Sequence, residues 1–184
     1  AGSLVVGTNF AKGLALKYNL PIVAVNHIEG HIYSAFIENK NIRFPFLALI
    51  VSGGHTSLFH VESFEQYTVI GSTRDDAAGE AFDKIAKLLG LGYPGGIHID
   101  RLAKEGNASA IAFPRSMLRE DNFDFSFSGL KTAVRTYLQK TLQHTPNEEE
   151  LRNICASAQE AIADVLVQKT LRAAAHYGAN DRSE

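Results

Sequence analysis

The sequence predicts an α/β protein whose second half is mostly helical. A continuous apolar run from Phe46 to Ser52 ends in Gly53-Gly54, and Thr56 to Val61 follows it. A strand, a glycine turn and a second strand is the pattern of a β-hairpin. Helical spacing of apolar residues flanks that hairpin, and from Asp76 onward it dominates. The order helix, strand, helix, hairpin, then mostly helices defines the class.

Each element has its own signal. Val5 to Tyr18 carries good helix formers around Ala11, Leu14 and Ala15, and Asn19-Leu20-Pro21 stops it. Pro21 to Val25 is a short apolar run and predicts a buried strand. Helix returns from about His27 to Glu38, and Tyr67 to Ile70 is placed as a third strand beside the hairpin. Ala78, Phe82, Ile85, Ala86 and Leu89 share one helical face, which Gly90 ends. Tyr93-Pro94-Gly95-Gly96 reads as a loop before a helix carrying Asp100, Leu102 and Ala103. Phe113 to Phe127 is aromatic and irregular, and Gly129 to Leu142 is helical. Thr145-Pro146-Asn147-Glu148 has the form of a capping box and opens a long helix. Its stripe is Leu151, Ile154, Ala158, Ile162, Val165 and Leu166, and Gly178 is its expected end.

Composition bounds the function. With 184 residues, 45% hydrophobic and 21% charged, the chain can bury a core as one compact domain or two small ones. No run approaches the roughly 18 apolar residues that cross a bilayer, and no signal peptide is visible, so no membrane partner is expected. The single Cys155 sits in an apolar helical pattern and reads as a core thiol of a reducing, cytoplasmic compartment. A formal net charge of −2 argues against a large uniformly basic surface, though not against a local basic patch. The chain opens on Ala1-Gly2-Ser3-Leu4 without an initiator Met and stops soon after Gly178, so it reads as part of a longer protein.

Several groups of residues could carry chemistry. His27 and His31 stand at i and i+4 of a helix and point the same way, which suits a shared metal ion with a third ligand from elsewhere. A zinc-protease motif would place Glu directly after the first His, about 100° round the helix. Here that position is Ile28, while Glu29 points to nearly the opposite face. Ordinary surface histidines are the rival reading. Ser52-Gly53-Gly54-His55 puts bare backbone N–H groups at a sharp turn, where a phosphate can approach closely. The rival there is a hairpin turn with no ligand. Glu80 and Asp83 share a face and could accept ribose hydroxyls, but Glu80–Lys84 and Asp83–Lys87 also have the spacing of surface ion pairs. Lys131 and Arg135 align at i, i+4, as a phosphate-contacting edge or a solvated face.

Taken in order, the segments NHIEGH, LIVSGGHTSL, GSTRDDAAGEAFDKIAKLLGLGYPGG, IDRLAKEG and FSFSGLKTAV resemble the TsaD family from about Leu4 to Gly178. The resemblance is to the bacterial branch. It implies the actin-like ATPase (actin–hexokinase–heat-shock, ASKHA) fold, incomplete here. Residues 1–45 would be the remainder of a first lobe with the metal-binding helix. Residues 46–184 would be a helix-rich second lobe with the adenylate-binding hairpin. His27 and His31 match the ligands of one iron or zinc ion. Ile50, Val51, Ser52, Gly53 and Gly54 match the adenylate-lining segment, with His55 beside it as the catalytic candidate. Asp83, Gly96 and Asp100 match further substrate-binding positions, and Asn180 the end of another. The implied function is transfer of threonylcarbamoyl from threonylcarbamoyl-AMP, an adenosine nucleotide, to the adenosine 3′ of the anticodon in tRNAs reading A-starting codons. TsaB and TsaE are the implied partners. The family's opening phosphate-turn motif and C-terminal metal-binding Asp have no counterpart in this chain, and no small residue or Pro follows Gly96. The chain by itself is therefore expected to be inactive. Two alternatives stay open, a non-catalytic ASKHA nucleotide-binding partner subunit and a metalloprotease.

Overall fold

The computed structural model describes residues 2–180, with the side chains of 179 and 180 left out of the description. The chain divides into two compact units, with the division in sequence falling between Asn41 and Ile42.

The first unit holds α1 (Gly2–Tyr18) and α2 (His27–Glu38). Asn26 starts α2 by accepting the Ile28 N–H on its side-chain oxygen at 2.8 Å, the standard N-cap bond. The expected buried strand at Pro21–Val25 is absent: the segment has no regular structure, and Val23 and Val25 are 83% and 71% exposed. A strand needs a partner edge for its backbone groups. The described strands pair only among themselves, so this run has no edge to join.

The second unit begins with a three-stranded antiparallel sheet in the order β1 (Phe46–Val51), β2 (Thr56–Val61), β3 (Tyr67–Ser72). The hairpin register sets Leu49 opposite Leu58 and Val51 opposite Thr56. The central strand is the most buried, as its two paired edges require. The helices α3 (Ala78–Leu88), α4 (Gly95–Ala103), α5 (Ser128–Thr136) and α6 (Glu148–Asn180) follow. A π-helical turn, Tyr137–Leu142, prolongs α5 and ends at Gln143 with φ +60°.

The core joins Leu58 of the sheet to Ala81 and Ile85 of α3, Ile99 of α4, Val134 of α5 and Ile154, Ala158 and Ile162 of α6. The predicted stripe of α6 is therefore its buried stripe, and Cys155 lies within it as a free, fully buried thiol.

Three local expectations shift. The capping box sits two residues later than Thr145: Asn147 Oδ1 accepts the Glu150 N–H and Glu150 Oε2 accepts the Asn147 N–H, both at 2.9 Å. Pro146 is then outside the helix. Gly178 does not end α6, which runs on to Asn180. Gly95 and Gly96 form the first turn of α4 rather than a loop. A Cβ on Gly95 would meet the Ala86 Cβ at 2.6 Å, so glycine there sets how closely α4 can approach α3.

Candidate functional site

The hairpin turn is held from within. The Ser52 N–H donates to the His55 carbonyl at 2.8 Å, and the Ser52 hydroxyl oxygen accepts the N–H groups of His55 at 3.0 Å and Gly54 at 3.3 Å. A Cβ on Gly53 or Gly54 would meet nothing within 4 Å. The outer side of the turn is thus open backbone.

The start of α3 closes against the inner side. Its amides carry no cap from their own N-cap residue, Ala77. The buried Thr56 Oγ1 accepts the Ala78 N–H at 2.9 Å, and the Ser52 carbonyl accepts the Gly79 N–H at 3.2 Å. Two helix-end donors are satisfied by the hairpin itself. A Cβ on Gly79 would lie 2.7 Å from both the Gly53 Cα and the Ser52 carbonyl oxygen. The partial positive charge of the helix end therefore lies directly behind the turn.

Asp83 connects the next element. Its Oδ1 accepts the Gly95 N–H at 2.7 Å, capping α4. Gly96 follows in the same turn. Glu80 and Asp83 line one cavity of about 390 Å³ with Lys84, Lys87, Gly92 and Tyr93. That volume is in the range of small-ligand sites. Lys84 bridges Asp76 at 2.6 Å and Glu80 at 2.8 Å, and the bond to Lys84 is the largest cause holding the Glu80 carboxyl below its ordinary range. The expected Glu80–Lys84 pair is present, while Asp83 serves a backbone amide. Asp100 is engaged elsewhere, pairing with Lys104 at 2.8 Å and bonding Gln159. A larger cavity of about 700 Å³ lies between the end of α3 and the start of α6 and includes none of the predicted site residues.

Sequence reasoning missed three contributors. Thr56 and Gly79 are the support of the turn. Asp75 is the third: its carboxylate accepts from the hydroxyls of Ser126 at 2.6 Å and Ser128 at 2.7 Å, and from the N–H groups of Phe127 at 2.8 Å and Ser128 at 3.2 Å. Desolvation alone would raise its pKa, but these donors together lower it to about 2. Asp75 thus ties the α3 entry to the start of α5 across about 50 residues of chain. A serine on each side of Phe127 was the available signal, since such hydroxyls need an acceptor.

In the first unit, the Nε2 atoms of His27 and His31 lie 3.1 Å apart on exposed side chains. Two nitrogens about 2.0–2.1 Å from one tetrahedral zinc ion stand roughly 3.3–3.4 Å apart, so the donor set fits an iron or zinc ion. Among the described residues no group of three metal-ligating side chains occurs. The side chain of Asn180, the remaining adenylate candidate, lies outside the described residues.

The model of the family described as TsaD: tRNA N6-adenosine threonylcarbamoyltransferase matches residues 1–182. This chain belongs to the TsaD family. A curated relative from Geobacter metallireducens, named tRNA N6-adenosine threonylcarbamoyltransferase, is 57% identical over 178 residues, covering 97% of this chain and 52% of the relative. A relative of the same name from Clostridium perfringens is 52% identical over 172 residues, 93% of this chain and 50% of its own length. One from Syntrophotalea carbinolica is 54% identical over 178 residues, 96% and 51%. The chain spans about half the length of the curated relatives it matches. Neither the metalloprotease nor the non-catalytic reading gains support from these names. The α/β class agrees with the TsaD family, and among the described residues no helix is long and apolar enough to cross a membrane.

Proposed function

We propose that this TsaD-family chain is the adenylate-binding part of an enzyme that makes N6-threonylcarbamoyladenosine in tRNA. The observation that carries the reading is the family match over nearly the whole chain. The complete enzyme would adopt the ASKHA fold, with residues 1–45 in one lobe and 46–184 in the other. It would act in the cytoplasm with TsaB and TsaE.

The exocyclic N6 of the adenosine 3′ of the anticodon attacks the carbamoyl carbon of threonylcarbamoyl-AMP. The new N–C bond forms as the carbon–oxygen bond to the phosphate breaks; AMP leaves with that electron pair and N6 loses a proton. The strand end Ile50-Val51 leads the turn to the adenylate. The Gly53 amide, whose nitrogen lies on the Gly79 side of the turn, and the Ser52 hydroxyl proton are the turn donors proposed for the departing phosphate. Gly54 is partly engaged with Ser52. His55 is the candidate to accept the N6 proton. Asp83, beside the 390 Å³ cavity, would accept an adenylate hydroxyl with the oxygen not bonded to Gly95, with Gly96 at the same helix start and Asp100 further along α4 as the remaining proposed contacts. His27 and His31 would hold one iron or zinc ion; when bound, such an ion supplies Lewis-acid polarisation of a carbonyl. The target base must leave its stack to be reached, as single-stranded RNA recognition requires.

The test is transfer of label from radioactive threonine to unmodified tRNA, given bicarbonate, ATP, the synthase and partner subunits. The protein is extended to the relatives' full length. Label with wild type and none with His27→Ala/His31→Ala supports the reaction and the metal role. Label with both retains the transferase but removes the histidine role. No label with either, beside an active control enzyme, rejects the reading.

A further inference from the structure

Between Asp124 and Glu148 the sequence contains no acidic residue, yet it carries Lys131, Arg135 and Lys140. In a chain of net charge −2 this is a local reversal of sign. The segment is α5 with its π-helical continuation, and its two faces differ sharply. Leu130 and Val134 are buried in the core, whereas Ser128, Lys131, Thr132, Arg135 and Thr136 are exposed. At about 100° per residue these five positions fall within a single arc of roughly 140°. Cations and hydroxyls therefore alternate along one solvent face.

We propose that this face of α5 docks the sugar-phosphate backbone of the RNA substrate. The inference rests on the tRNA reading above and adds to it a surface. Lys and Arg together with Ser and Thr hydroxyls are the side chains that bind phosphate and sugar oxygens and so fix register without reading sequence. The alternation supplies both, the hydroxyls being those of Thr132 and Thr136, since the Ser128 hydroxyl donates to Asp75 at 2.7 Å. Beside the same helix lies a groove of about 450 Å³, where Thr132, Thr136 and Thr141 line one part and Ile111, Phe113, Pro114 and Tyr137 another, with no acidic side chain. Asp75, whose carboxylate reaches the start of the helix, spends its oxygens on the donors of Ser126, Phe127 and Ser128. A protein partner would want exposed aromatic anchors at the centre of the patch, whereas Phe113 is buried, Tyr137 is half-buried and the five exposed positions carry none. A lipid surface would likewise need exposed apolar side chains to insert.

The experiment is equilibrium binding of unmodified tRNA across a salt series, using the protein at the relatives' full length with its partner subunits. Wild type is compared with Lys131→Ala/Arg135→Ala and with a charge-matched control, Lys12→Ala/Lys17→Ala. Each lost phosphate contact lowers the slope of log affinity against log salt by about 0.7–0.9. The double variant should therefore lose about 1.4–1.8 from the slope and roughly 10- to 30-fold in affinity at about 0.15 M salt. The control should bind as wild type. An unchanged slope and affinity in the double variant overturns the proposal, as does an equal loss in the control. Unchanged RNA binding with loss of co-elution of a TsaB subunit would also overturn it, giving the face to a protein. If transfer persists while the variant binds normally, the docking surface fails and the enzyme reading stands. If wild type binds no tRNA, both fail.

Discussion

A Cβ on Gly79 would stand 2.7 Å from the Cα of Gly53, so the first turn of α3 and the hairpin turn touch backbone to backbone. Neither side can yield as a flexible side chain would. Gly79→Ala should cost about 1–3 kcal/mol by overpacking, read by urea unfolding, and should weaken adenylate binding by displacing the turn. Gly54→Ala, with nothing within 4 Å, should leave stability nearly unchanged. Binding loss in Gly54→Ala without unfolding would mark the open side as the ligand side.

Asp75 gives the fold an acid-sensitive contact. Its carboxyl titrates at about 2 in the folded protein against an ordinary 3.8, because the Ser126, Phe127 and Ser128 donors outweigh desolvation. A lowered folded value means the stabilisation is fully present above about pH 4 and is lost as pH falls towards 2. Because Asp75 is solvent-exposed, screening reduces it to about 1 kcal/mol. Asp75→Asn should be less stable than wild type at pH 7, and thermal melts should converge as the pH drops through that window.

Asp83 has a structural duty that a ligand role must share. Removing the acceptor of the Gly95 N–H in Asp83→Ala should cost about 1 kcal/mol, the usual effect of a lost cap. Asp83→Asn keeps an acceptor oxygen and should recover most of that stability. If the variant melts like wild type yet binds threonylcarbamoyl-AMP more weakly, the charge serves the ligand. Equal binding would confine Asp83 to holding α4.

The histidine pair makes a prediction separate from catalysis. Protein purified with iron or zinc should lose that metal in His27→Ala/His31→Ala, measured by plasma mass spectrometry. An unchanged metal content would move the site away from α2.

Cys155 should be inert in the native protein. It is fully buried, and desolvation raises its thiol to about 11, so the nucleophilic thiolate is scarce at pH 8. Maleimide should label it only in denaturant. Fast labelling of folded protein would show that α6 opens locally.

The hairpin, the helix over His27–Glu38 and the buried stripe of α6 were legible in the sequence because each is a matter of local period. A run of six apolar residues followed by Ser52 and two glycines specifies its own strand and turn. Pro21–Val25 is likewise apolar yet forms no strand, since a strand exists only with a neighbouring edge. The cap of α6 was misplaced by two residues because Thr145 and Asn147 are both capable acceptors, and only the built helix shows Asn147 exchanging bonds with Glu150.

By itself the sequence determined the class and the family and named candidates for the site, because those are carried by periodicity and by motifs read along the chain. Only the tertiary structure decided which motifs touch. Thr56 reaches Ala78, Ser52 reaches Gly79, and Asp75 reaches Ser126 and Ser128. Such contacts join elements distant in sequence, and they form where buried or helix-end donors must find acceptors. That requirement leaves little trace in any local pattern.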